Sequence, residues 1–178
     1  MRHATLVLAT LTAATARADE PTFSGNDVAT VFYFSKSDDK NRVDYGLRLD
    51  ASCMPAGDEP LFPYWREFEG GLDGKRIHTL KFFEYAGYGV SDQAVKKSGG
   101  RADLTVKLKA FPREIVISTE KGEDGKCAVV ARAVIAATPN VELQSAFIKL
   151  KSGWSVEYVE VHGKDPKSGK GLAERLVP

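Results

Sequence analysis

The chain has 178 residues, 25 lysines and arginines against 24 aspartates and glutamates, three histidines and a 43% hydrophobic content. That length and composition suit a single domain with one core of ordinary size. A charge balance this close to neutral gives no long-range positive field, which argues against nucleic acid as a partner.

The N-terminus reads as an export signal. Met1, Arg2 and His3 form a short basic start, Ala4 to Ala14 an apolar run, and Ala16-Arg17-Ala18 a small-residue cleavage pattern before Asp19. The apolar run is too short to span a bilayer, which needs about 20 such residues, and no later stretch approaches that length. Cleavage after Ala18 takes 18 residues from the 178 and leaves 160. Arg2 and Arg17 leave with it, so 23 basic residues face 24 acidic ones, a net charge of −1. The mature chain is expected in the periplasm or outside the cell, as a monomer without a transmembrane segment. Residues 19–29 are expected to form a loose arm and 30–178 a single β-rich domain.

Residues 30–36 are aromatic and β-branched, with Phe32 and Phe34 on one face and Val31 and Tyr33 on the other, which predicts a strand. Ser37-Asp38-Asp39-Lys40-Asn41 turns the chain into a second strand, where Val43, Tyr45, Leu47 and Leu49 alternate with polar residues. The two should form a hairpin with one wet face. A loop from Ala51 to Pro60 leads into Leu61 to Phe68, a strand that should lie at an edge or start at Tyr64 because Pro63 cannot donate to a ladder. Ile77, Leu80 and Phe83 recur at spacing three, and Asp73 is available as an N-cap, so one short helix is expected over residues 75–86.

Beyond residue 102 the alternation returns. Leu104, Val106 and Leu108 mark one strand, Ile115 and Ile117 another, and residues 126–137 a third that is apolar on both faces apart from Arg132, hence central and covered. Val141 to Lys151 and Trp154 to His162 pair around Ser152-Gly153, before a short last segment. About eight short strands, one helix and no crossover helices predict a mainly β domain, an antiparallel β-barrel or β-sandwich. Cys53 and Cys127 both lie in the exported part, so the simplest expectation is one disulfide between them.

Val31-Phe32-Tyr33-Phe34-Ser35-Lys36-Ser37, Asn41-Arg42-Val43-Asp44-Tyr45 and Pro63-Tyr64-Trp65-Arg66 stand in an order along the chain that resembles a family known as a domain of unknown function, number 4833. The resemblance continues through Tyr88-Gly89-Val90 to Val159-Glu160-Val161-His162-Gly163-Lys164-Asp165, covering most of residues 30–175. Asp38-Asp39-Lys40 and the two cysteines depart from the commoner form. The resemblance implies an exported small domain with no established activity and brings no catalytic residues.

Few residues announce chemistry. After cleavage only His78 and His162 remain, too few for a zinc site without partners at a recognisable spacing, so no metal or other cofactor is expected. Ser35 and Ser37 flank Lys36, but adjacent strand residues point to opposite faces. Glu67, Glu69 and Asp73 gather round one turn and, with His162, are the residues a hydrolase would use. Tyr64, Trp65 and Arg66, beside Arg42, Asp44 and Tyr45, combine stacking faces with directional donors, the chemistry that holds sugars, planar ligands or carboxylates. The leading expectation is a non-enzymatic binding module for an unknown small molecule, with those six as the candidate site. The alternatives are the hydrolase and an envelope protein-interaction module that adds a strand near Pro63.

Overall fold

The computed structural model describes residues 28–36, 40–109, 111–151 and 155–177. The predicted export signal, the expected arm up to residue 27, Ser37-Asp38-Asp39 and Ser152 to Trp154 lie outside the described residues. The chain runs β1 (Val28–Lys36), β2 (Arg42–Arg48), β3 (Leu61–Glu67), β4 (Arg76–Thr79), α1 (Phe82–Tyr88), β5 (Val90–Ser98), β6 (Arg101–Leu108), β7 (Phe111–Lys121), β8 (Cys127–Ile135), β9 (Thr138–Leu150), β10 (Val156–Lys164) and β11 (Gly171–Leu176). The class is mainly β, as expected. Among the described residues the strands number 11 rather than about eight and form one sheet that does not close.

β9 is where the sheet divides. β10 occupies one of its edges from Glu142 to Leu150, so β8, paired at Thr138 to Glu142, and β1, paired in parallel at Ser145 to Ile148, share the other edge in succession. One wing therefore runs β1-β2-β3-β4 and the other β8-β7-β6-β5, with β10 and β11 continuing the spine. The inward residues of both wings make one core: Phe32, Phe34, Tyr45 and Leu47 from the first, Leu104, Ile115 and Ile117 from the second. Phe34 and Phe111 meet across the gap edge to face, ring centres 6.3 Å apart.

The predicted helix is corrected. Residues 76–79 are the strand β4, because Trp65 and Arg66 of β3 offer ladder partners to His78 and Ile77, and α1 begins only at Phe82. Its N-cap is Lys81, whose N–H donates to Glu84 Oε2 at 2.7 Å, whereas Asp73 sits in the preceding turn at φ +48°. β8 is central in its wing but not covered on both faces, since Val134 is 45% exposed. Asn41 Oδ1 accepts from the N–H of Phe68 at 2.7 Å, pinning the end of β3 to the start of β2.

At the β8–β9 turn Ala136 and Ala137 adopt φ of +50° and +59° without glycine. Glu174 holds them: Oε2 accepts from Ala136 N–H at 2.6 Å while its two oxygens take a bidentate Arg113. The Arg113 hydrogen bond, then the backbone one, keeps the Glu174 carboxyl below its ordinary range. Close approach sets another local rule at Gly163 on β10, where a Cβ would stand 2.7 Å from Glu142 O, Ile135 Cδ1 and Val141 Cγ1. Gly163→Ala is therefore expected to cost about 2 kcal/mol. Chemical denaturation measures it, and an unchanged midpoint would show that the β9–β10 bulge yields freely.

Candidate functional site

The register of β2 on β3 sorts the six candidate residues. Asp44 pairs with Tyr64 and Arg42 with Arg66 on the outer face, while Val43 pairs with Trp65 and Tyr45 with Pro63 on the inner face. Four candidates are thus brought together and two are not. Tyr45 is wholly buried and donates its hydroxyl to Tyr88 O at 2.8 Å, and burial pushes its phenol well above the ordinary range. Trp65 is partly buried against the core.

On the outer face Asp44 is 0% exposed although it lies away from the apolar core. Its Oδ1 accepts from Arg42 Nε at 2.6 Å and its Oδ2 from Arg66 Nε. The Arg42 guanidinium lies over Tyr33, 4.1 Å from the ring centre, and over Phe68 at 4.9 Å. Arg66 also donates to Gly74 O and to Tyr64 Oη, both at 2.9 Å, and Tyr64 Oη meets Thr30 Oγ1 at 2.8 Å. Partial burial works against the Arg66 cation, but the Asp44 hydrogen bond and charge outweigh it and hold its pKa above the usual arginine value. Within the cluster each arginine gives its Nε–H to Asp44, and Arg66 gives a further donor to Tyr64. What it does chemically is brace Tyr64.

Tyr64 also belongs to a cavity of about 440 Å³ in the seam between the two wings. β4 pairs only with Tyr64 to Glu67, so Leu61 to Pro63 face β5 without a strand between them. The side-chain amide of Gln93 fills the gap, accepting from Leu61 N–H at 3.0 Å and donating to Leu61 O at 3.4 Å. A strand added beside Pro63 would have to displace that amide. Round the cavity stand Phe62, Tyr64 and Tyr85 with Arg48, Asp58 and Glu59. Arg48 lies over Phe62 at 4.1 Å and donates to Glu59 O at 3.0 Å. Among the described residues the Asp58 and Glu59 carboxylates meet no hydrogen-bond or ion-pair partner, and Asp92 is offset by Lys107 at 3.8 Å.

Sequence reasoning missed Arg48, Phe62, Asp58, Glu59, Tyr85 and Gln93. Phe62 was within reach of it, standing two residues before the Tyr64-Trp65-Arg66 run on the same strand. Gln93 was not, because a glutamine in a polar strand carries no sign of a partner 32 residues away.

The residues of the hydrolase reading are dispersed. Glu67 pairs with His78 Nε2 at 3.2 Å and Arg76 at 3.6 Å, Glu69 accepts from Lys40 N–H at 3.5 Å, and Asp73 is exposed in the turn. His162 lies on β10, with Glu160 at 3.1 Å and Ser145 opposite it on β9. Among the described residues no group of three His, Cys, Asp or Glu could hold a metal ion, and no helix is long and apolar enough to cross a membrane.

Cys53 and Cys127 form a disulfide that joins the β2–β3 loop of one wing to the start of β8 in the other. Taken together these features define a disulfide-linked, mainly β domain with an aromatic and carboxylate-lined cavity at its open seam. The chain belongs to the family described as a domain of unknown function (DUF4833), which it matches over residues 32–175. No curated protein and no solved structure matches it.

Proposed function

We propose that the mature chain is an exported, non-enzymatic binding module whose seam cavity takes a small, neutral, polyhydroxylated ligand of the carbohydrate kind. The observation that carries this reading is the pairing of aromatic rings with carboxylates that meet no partner among the described residues: Phe62, Tyr64 and Tyr85 share one cavity with Asp58 and Glu59. Rings supply faces for C–H groups, and ionised carboxylates are pure acceptors for hydroxyl donors. Arg48 adds outward donors. An anionic ligand would meet Asp58 and Glu59 against one arginine, Asp92 being offset by Lys107, which favours neutral over charged sugars. Arg66, Asp44 and Arg42 enter as positioning residues that fix Tyr64.

The test is isothermal titration of the mature protein with a panel of neutral oligosaccharides, beside native mass spectrometry of protein taken from its envelope fraction. Binding by one of them is expected to weaken roughly tenfold or more in Phe62→Ala and in the double variant Asp58→Asn with Glu59→Gln. Binding that ignores both variants, or no binding and no retained ligand, would overturn the reading.

A further inference from the structure

The β2–β3 loop, residues 49–60, is folded on its own wing. Leu49 bridges to Pro55, Ala56 N–H donates to Arg48 O at 3.0 Å, Arg48 N–H to Pro60 O and Cys53 N–H to Asp50 O, both at 2.9 Å. Near its end the loop carries Asp58 and Glu59 to one side of the seam cavity, while Ser91, Asp92 and Gln93 of β5 line the other. Its ties to the opposite wing differ in kind. Lys121 Nζ of β7 donates to Ala51 O at 3.2 Å from an exposed side chain, a bond readily exchanged for water. Gln93 meets Leu61 just beyond the loop, and Cys53–Cys127 is the covalent tie. Access to that tie is one-sided: Cys53 is 1% exposed, whereas Cys127, the first residue of β8, is exposed.

We propose that this disulfide is a redox gate on the seam cavity: oxidised, it holds the loop's carboxylates opposite β5, and reduced, it lets the two walls part. The inference rests on the carbohydrate reading for the identity of the ligand. The reductant is a dithiol of the thiol–disulfide oxidoreductase kind. Its thiolate attacks Cys127 Sγ, the S–S bond breaks, and Cys53 leaves as a thiolate that takes up a proton. The second thiolate of the dithiol then displaces Cys127 Sγ, so the protein gains two thiols and the dithiol is oxidised to its own disulfide. The rest of the fold is not called on to change, because β1, β8 and β10 keep their pairing with β9. A ligand that touches both walls binds the oxidised form better. By linkage the same factor makes the liganded protein harder to reduce.

The test compares the oxidised mature protein with protein held in dithiothreitol and with Cys53→Ser/Cys127→Ser, circular dichroism melts confirming that each is folded. The first readout needs no ligand. Leu61 N–H donates to Gln93 Oε1 across the seam, and its hydrogen exchange, followed by nuclear magnetic resonance, should speed roughly tenfold or more on reduction. That rate should ignore low urea concentrations, the mark of a local opening rather than of unfolding. The second readout is isothermal titration with a neutral oligosaccharide that binds the oxidised form. It should bind the reduced protein and the double variant roughly tenfold more weakly, and at saturation it should slow reduction by dithiothreitol. Leu61 exchange that is unchanged, or that rises only with global unfolding, would overturn the gate, as would equal affinity in both redox forms. If no sugar binds either form, the carbohydrate reading fails and the Leu61 exchange alone decides the gate.

Discussion

Removing the Cys53–Cys127 bond is expected to lower stability by about 4 kcal/mol, since its ends are 74 residues apart in sequence and the entropy of the closed loop grows with its length. For a domain of this size that corresponds to a fall in Tm of roughly 10 °C. The folded state has reason to depend on it as well. The wings meet along β9, while on the open side Gln93 bonds to Leu61, Lys121 Nζ donates to Ala51 O at 3.2 Å, and the disulfide is the covalent link. Cys53 is buried in a loop ordered by Asp50, whose Oδ1 accepts from Ser52 and Met54 N–H at 2.8 and 3.0 Å. The measurement is urea unfolding of Cys53→Ala/Cys127→Ala beside the oxidised protein. A higher urea m-value should accompany the lost stability, because an unlinked unfolded chain exposes more surface. A change below about 1 kcal/mol would mean that the unfolded chain already holds these segments together.

Local pattern was a good guide wherever one face of a strand was buried. The alternation of Val43, Tyr45 and Leu47 placed Asp44 on the opposite face, and that is where it lies. Periodicity names a face but not what covers it, so nothing indicated that two arginines would bury Asp44 completely. Pro63 was expected to put its strand at an edge or to start it at Tyr64; β3 instead begins at Leu61 and lies between β2 and β4, and only Leu61 to Pro63, beyond the reach of β4, lack a strand on that side. The cysteine pair was legible from parity together with the expectation of export. Ile77, Leu80 and Phe83 misled because spacing three is shared by a helix and by a short strand that runs into one, and the β3 ladder decided between them. The division at β9 rests on a parallel pairing between segments more than a hundred residues apart, Tyr33 with Ser145, and no local signal encodes it. That pairing also separates an open, forked sheet from a closed barrel. The seam cavity is likewise non-local, assembled from the β2–β3 loop, β3, α1 and β5.

Asp44→Ala is expected to cost about 3 kcal/mol, the second of the two largest effects. The reason lies less in lost attraction than in what remains: Arg42 and Arg66 are directly opposed on neighbouring strands, and without the carboxylate they face each other as partly buried like charges. Their exposure, 29% and 25% of the side chains, keeps the figure at the lower end for a broken buried pair. Arg66 would also hold Tyr64 less firmly, so oligosaccharide binding should weaken with stability. The decisive comparison is the double variant Asp44→Ala/Arg66→Met, in which the stranded charge is gone while the aliphatic stem remains. It should be more stable than Asp44→Ala alone by about 1 kcal/mol or more, a non-additivity that a double-mutant cycle reads directly. Simple additivity of the two substitutions would show that water reaches both guanidinium groups once Asp44 is removed. In that event the cluster would only be a brace on β3, with no electrostatic coupling of its own.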